Sequence, residues 1–170
     1  MFQINEYVVY GGSGVCKVNK IGNLDISGID KDKSYYTLEP LYSKGSIVYT
    51  PIDNSRVIMR KILSKDEAWE LINDIPNIET IWGTDEKKIE EVYKDAMKKY
   101  DCREWIKIIK TLYLRKQDRI AQGKKGTSTD ERYLRMAEDN LFGELAIPLE
   151  MPKDKVEDFI VARVELLESI

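Results

Sequence analysis

A chain of 170 residues with 42% hydrophobic residues can build a packed core, in one domain or two small ones, and this composition argues against a disordered protein. The formal net charge of −3 predicts no strong overall attraction to nucleic acid, so any such contact needs a local basic patch. Because the sequence has no histidine, histidine-based catalytic triads and histidine-containing metal sites are excluded.

Other sequence features also argue against an enzyme or a membrane protein. Cys16 and Cys102 lie far apart without motif spacing, which predicts reduced thiols in a cytoplasmic protein. No apolar run reaches the length of a membrane span, and residues 1–9 lack a signal-peptide pattern. The segment Gly11–Gly14 lacks the lysine and following helix of a phosphate loop, so it predicts a hairpin turn. We therefore expect no catalysis, cofactor, metal, membrane partner or small-molecule substrate, with a carboxylate-based enzyme as a distant alternative.

The first third of the chain has the pattern of a small β-structure. Five short apolar and β-branched runs are separated by glycine and Asx turns. Pro51 closes one of these runs, which suits a strand at the edge of a sheet because proline cannot donate to a ladder. We predict an SH3-like or Tudor-like barrel over residues 1–62. The predicted strands are Tyr7–Tyr10, Val15–Ile21, Ser34–Tyr42, Ser46–Thr50 and Arg56–Arg60.

From Ser64 onward the apolar spacing becomes helical, and residues 63–170 predict a bundle of about five helices. Ser64 is a suitable N-cap, Pro76 ends the first helix, and Gly123 is a suitable stop for the third. The fold class is therefore segregated α+β. The five helices are predicted to begin near Ser64, Asp85, Asp101, Ser128 and Pro152.

The third helix, Asp101–Gln122, combines an apolar beginning with a basic end. Trp105, Ile108 and Leu112 fall at core spacing, so the helix is expected to lie between neighbours. The basic end has two interpretations: a solvated helix terminus that complements the macrodipole, or a phosphate-binding patch with a steep salt dependence. Its basic residues are Arg115, Lys116, Arg119, Lys124 and Lys125.

Several short segments of the chain occur in a characteristic order. They are Val8-Val9-Tyr10 with Gly14-Val15, the turn Pro51–Asn54, Trp82, the stretch from Arg115 to Glu131-Arg132, and residues 137–147 (AEDNLFGELAI). Together they resemble the CarD/CdnL family of bacterial transcription regulators, and the resemblance covers nearly the whole chain. The same β-module opens the polymerase-binding region of the transcription-repair coupling factor, but this chain has no room for a helicase, so we expect the stand-alone regulator.

The resemblance implies a regulator that binds the lobe of the RNA polymerase β subunit with its Tudor-like domain, largely through a strand edge. It further implies that the helical domain contacts promoter DNA at the upstream edge of the bubble, weakly and largely independently of sequence, and so stabilises the open complex. The implied polymerase-binding residues are Ile47, Val48, Tyr49, Thr50 and Pro51. The implied DNA-binding residues are Trp82, Lys87, Lys88, Arg115, Lys116, Arg119, Lys124 and Lys125.

The chain departs from the family pattern at two places, and these departures keep alternatives open. Tyr49 stands where members often carry an arginine, so backbone pairing has to contribute more of the polymerase contact. Asp85 and Glu86 follow the tryptophan where members carry basic residues; they would repel phosphates, or they serve the N-terminus of the next helix. Trp82 is either a wedge into the minor groove or a hydrophobic staple. The alternative function is a protein–protein adaptor that uses the barrel edge and does not bind DNA.

Overall fold

The computed structural model of the protein describes residues 1–81 and 85–169. These residues form two compact units, Met1–Ile62 and Leu63–Ile170. The first unit is built from strands and the second from helices, so the predicted α+β class is confirmed. No helix in the described part of the chain is long and apolar enough to span a bilayer.

The N-terminal unit is one antiparallel sheet with the strand order β4-β3-β2-β1-β5. Within the described residues β4 and β5 lie at opposite edges and do not pair with each other, so the sheet is open and the predicted closed barrel is not what the structure has. The edges are short, since β5 has three residues and β4 ends at Pro51. The strands are β1 (Tyr7–Tyr10), β2 (Gly14–Asn23), β3 (Ser34–Pro40), β4 (Val48–Pro51) and β5 (Met59–Lys61).

The core of the sheet follows from the alternation of side chains along the strands. A cluster of fully or almost fully buried residues lies on one face, and Phe2 and Val48 pack against it. The hairpin between β1 and β2 requires glycine, because Gly12 and Gly14 have φ values of 87° and 72°. The prediction of a hairpin turn at Gly11–Gly14 is thus confirmed. The core cluster consists of Val8, Cys16, Val18, Tyr36 and Leu38.

Among the described residues the C-terminal unit has five α-helices and a 3₁₀ turn. Ser64 caps the first helix in a reciprocal capping box with Glu67, and Asp101 caps the third. Gly123 ends the third helix with a φ of 74°, as predicted. The helices are α1 (Lys65–Asp74), α2 (Ile89–Lys98), α3 (Cys102–Ala121), α4 (Ser128–Leu145) and α5 (Lys153–Glu168), and the 3₁₀ turn is Ile75–Asn77.

Two predicted helix starts differ from the structure. The second helix begins at Ile89 rather than Asp85, because residues after Asp85 form a turn first. The fourth helix is capped by Thr127, whose side chain accepts the Asp130 N–H, so the predicted cap at Ser128 is one residue too late. These shifts leave the packing unchanged: α3 lies against α2 and α4, as its broad apolar surface requires.

Candidate functional site

The outer edge of β4 has backbone groups that point away from the sheet. The Ile52 N–H donates to the Ser34 carbonyl at 3.1 Å, which fixes the alternation along the strand. The backbone groups of Val48 and Thr50 therefore face β3, whereas those of Tyr49 and Pro51 point away from the sheet. Because proline has no N–H, this edge offers the Tyr49 N–H as a donor and the Tyr49 carbonyl as an acceptor, while the Pro51 carbonyl already accepts the Asn54 N–H at 3.0 Å.

The side chains of β4 alternate in the same way. Ile47 and Tyr49 are 57% and 38% exposed, and Ile52 in the following turn is 37% exposed. Thr50 is 1% exposed, and Val48 packs against the core cluster. Of the predicted polymerase-binding residues, Thr50 is thus buried, and Val48 is partly buried against the core. The outward group, which we call the β4 edge, consists of Ile47, Tyr49, Pro51 and Ile52.

The opposite edge of the sheet is partly protected from pairing. The Gly11 N–H donates to the Ile58 carbonyl, so the Lys61 carbonyl points away from β1. The Arg60 guanidinium donates to that carbonyl at 3.0 Å, and Lys61 forms an ion pair with Glu6 at 3.4 Å. Charged side chains and a covered carbonyl are typical devices against edge-to-edge association. The β4 edge is therefore the better site for strand addition.

In the helical unit, α3 holds the connection between α1 and α2. The Lys110 ammonium donates to the carbonyls of Ile75 and Ile78, at 2.8 and 2.6 Å. One residue further, the buried Thr111 hydroxyl accepts the Ile81 N–H at 2.9 Å and donates to the Lys107 carbonyl. Residues 75–81 are thus fixed along α3 up to the position before Trp82. Trp82 itself lies outside the described residues, so its assignment as wedge or staple stays a prediction.

Arg115, one of the predicted DNA-binding residues, is half-buried and binds two carboxylates. Its Nε donates to Asp130 at 3.0 Å, and its two terminal nitrogens donate to Glu86 at 2.9 and 3.3 Å. The pKa of Arg115 is raised, mainly by the hydrogen bond to Glu86, and the pKa of Glu86 is lowered, mainly by the hydrogen bond from Arg115. In this arrangement Arg115 is an ion-paired residue with no unshared face for a phosphate.

This ion pair corrects one interpretation of Glu86. Serving the N-terminus of the second helix does not fit, because α2 begins at Ile89 and has Glu90 and Glu91 in its first turn. Glu86 instead turns toward α3. Lys87 and Lys88, which follow Glu86 in the sequence, are exposed.

The remaining predicted cations of the third helix lie around its C-terminal end. The Arg119 Nε donates to the Lys125 carbonyl at 2.8 Å, and the Lys124 N–H donates to the Arg119 carbonyl, so these residues converge where α3 ends. The side chains of Lys124 and Lys125 are exposed. Lys116 shares a small cavity with Arg119 and also lines a groove of about 790 Å³ whose other charged residues on α4 and α5 are of both signs.

The groove beside Lys116 contains a carboxyl group with a perturbed pKa. Burial, together with the nearby charges of Glu157 and Asp139, raises the pKa of Glu138 to about 6. The Tyr113 hydroxyl donates to Glu157 at 2.9 Å, which keeps that carboxylate in place. No group of acidic or cysteine side chains within residues 1–81 and 85–169 has the arrangement of a metal site.

Sequence reasoning missed a buried carboxylate that organises the helical unit. Glu144 is 0% exposed, and its two oxygens accept the Leu63 N–H at 2.9 Å and the Cys102 thiol at 3.2 Å. A carboxylate that accepts on both oxygens ties the segment before α1 to the first residue of α3. The available signal was an acidic residue directly beside Leu145 in the apolar stripe of α4.

The fold and these surfaces define a protein-interaction module with one open strand edge, followed by a helical unit with a cationic tip. Residues 2–63 match the family model of the CarD-like/TRCF RID domain. The N-terminal unit therefore belongs to this family of RNA polymerase-interacting domains, which confirms the resemblance over that part of the chain. No curated protein matches the chain. The match supports a transcription-related function through polymerase interaction for this unit.

Proposed function

We propose that this protein regulates transcription initiation by pairing the β4 edge with the lobe of the RNA polymerase β subunit while the helical unit contacts promoter DNA. The observation that supports the polymerase contact most strongly is the contrast between the two sheet edges. The β4 edge combines the outward Tyr49 N–H with exposed Ile47 and Ile52, whereas Arg60 covers the outward carbonyl of β5. Strand addition gives affinity through backbone bonds and specificity through alternate side chains.

The polymerase contact is tested with full-length variants and the isolated lobe of the β subunit. Tyr49→Ala removes a side chain, while Tyr49→Pro also removes the outward N–H without breaking a ladder bond. We expect at least about tenfold weaker binding for Tyr49→Pro and a smaller loss for Tyr49→Ala. Ile58→Ala, which truncates an exposed residue near the other edge, is the matched control and should bind like wild type.

The result that would overturn this contact is equal binding by Tyr49→Pro and wild type, with unchanged circular dichroism. If the wild-type chain does not bind the isolated lobe, the proposed contact with the β subunit lobe is wrong. Both outcomes are read by biolayer interferometry.

The proposed DNA contact lies at the end of α3, where Arg119, Lys124 and Lys125 converge, and it includes the exposed Lys87 and Lys88 that follow Glu86 in the sequence. Docking on the polymerase raises the local concentration of the helical unit, so a weak contact suffices to stabilise the open complex. The proposal places residue 82 at the upstream edge of the bubble as the wedge. Its basis is the family resemblance and the anchoring of the preceding residues along α3.

The DNA contact is tested through its salt dependence. Lys124→Gln/Lys125→Gln should reduce the slope of log affinity against log salt by about 2, since each phosphate contact contributes roughly 0.9. Lys98→Gln/Lys155→Gln removes the same charge from exposed positions on α2 and α5 and should leave the slope unchanged. The second measurement is a footprint of the polymerase–promoter complex with and without the protein. If wild type and both double variants give the same upstream footprint as the complex without the protein, the protein is an adaptor that does not contact DNA.

A further inference from the structure

The two carboxylates on Arg115 differ in how firmly they are held. The Asp130 side chain is 12% exposed and accepts from the inner Nε, whereas the Glu86 side chain is 73% exposed and accepts from both terminal nitrogens. The bidentate geometry strengthens the contact to Glu86, but an exposed ion pair is screened by salt and open to competing anions, while a partly buried one is screened less. Glu86 is therefore the ligand of Arg115 that can be exchanged.

Glu86 also occupies the position that suits a phosphate. Two parallel N–H donors from one guanidinium form the fork that binds carboxylate and phosphate oxygens alike. The charge of Arg119 adds to that of Arg115 in lowering the pKa of Glu86, so this carboxylate lies in the field of two predicted phosphate-binding arginines. When Glu86 is bound, the guanidinium of Arg115 contacts two carboxylates. When Glu86 is displaced, Asp130 remains as the carboxylate partner, and the terminal nitrogens can bind another anion.

We infer that Glu86 is an internal phosphate mimic, which occupies the outward face of Arg115 until a DNA phosphate displaces it. Asp130 keeps the guanidinium in place during this exchange. The inference rests on the proposed DNA contact and adds a self-inhibitory element to it. It makes the contact weak in the free protein and strong only where docking supplies phosphate at high local concentration.

The test measures binding of the full-length protein to a fluorescein-labelled duplex with a single-stranded fork, by anisotropy at about 50 mM salt. Glu86→Gln should bind about fivefold more tightly than wild type, the effect of losing one exposed ion-paired competitor. Asp85→Asn is the matched control: it removes the neighbouring negative charge, whose oxygen accepts the Lys87 N–H instead. Asp85→Asn should raise the affinity for the duplex clearly less than Glu86→Gln does. The increase in affinity caused by Glu86→Gln should vanish when Arg115 is also replaced by glutamine.

Equal gains for Glu86→Gln and Asp85→Asn would overturn the inference, because general charge removal would then explain both. A gain that persists without Arg115 would overturn it as well. If Arg115→Gln does not fold, a carbon-detected titration of Glu86 in wild type decides: saturating DNA should move its pKa upward, toward the ordinary value. Lack of DNA binding by every variant, with folding intact, would refute the proposed DNA contact itself and this inference with it.

Discussion

Replacing Glu144 by glutamine should destabilise the helical unit strongly, although the two side chains have nearly the same shape. In the wild-type protein one oxygen accepts the Leu63 N–H and the other the Cys102 thiol. Glutamine keeps one acceptor and turns its NH₂ group toward the other partner, which is either the Leu63 N–H, a donor only, or the Cys102 sulfur, a weak acceptor. Because Glu144 is 0% exposed, water cannot relieve this mismatch.

The expected magnitude follows from the two bonds. A hydrogen bond to a charged group contributes about 1.5–3 kcal/mol, and a buried donor left without an acceptor costs about 1–3 kcal/mol. Glu144→Gln loses one such bond and the charge on the other, so we expect a loss of about 3 kcal/mol. Cys102→Ala removes only the weak thiol donor and should cost about 1 kcal/mol. A loss of 3 kcal/mol is a large fraction of a typical domain's stability.

The assay is urea unfolding at neutral pH followed by tryptophan fluorescence. All three tryptophans belong to residues 63–170, so this signal reports on the helical unit and avoids mixing two transitions. Glu165→Gln, which changes an exposed carboxylate on α5, is the control and should lie within about 0.5 kcal/mol of wild type. If Glu144→Gln behaves like this control, the buried carboxylate does not tie the helices together as described.

The remaining predictions concern the groove and the connection along α3. The raised pKa of Glu138, about 6, means that folding favours its protonated form, so this carboxyl should lower stability as the pH rises through 6. Glu138→Gln should remove that loss and stabilise the protein by about 1 kcal/mol at pH 8, after allowance for solvent screening, with no gain at pH 4 in thermal unfolding. Thr111→Val removes the acceptor of the Ile81 N–H; amide exchange at Ile81 should accelerate about fivefold or more, corresponding to about 1 kcal/mol, while exchange at Ile108 stays unchanged.

Local chemistry explains which parts of the fold were predictable. Ser64 with Glu67, Asp101 and Gly123 each act within one helical turn, so their positions in the sequence are sufficient to locate helix ends. The start of α2 was predicted too early because acidic residues near a helix start do not distinguish a first turn from the loop before it. Closure of the sheet was not predictable either, because it depends on whether two distant edges meet.

The ligands of charged side chains could not be predicted, since they come from residues distant in sequence. Lys110 binds carbonyls 32 and 35 residues away, and Glu144 accepts from Leu63, 81 residues away. Nothing in the local pattern distinguishes Lys110, which holds a turn, from the exposed Lys124. The composition of a basic run therefore gives the number of cations but not how many are available to a partner.

That distinction changes how the family departure at Asp85 and Glu86 is understood. In sequence, two carboxylates beside a proposed DNA wedge argue for simple repulsion, which would act equally at every phosphate nearby. In the structure, Glu86 is bound in bidentate fashion to Arg115, so its effect acts mainly through that guanidinium, and under the exchange inferred above a phosphate would relieve it. Repulsion only lowers affinity, whereas exchange makes affinity depend on how much phosphate is presented at that site. A departure from the family pattern can thus set the strength of a contact without removing it.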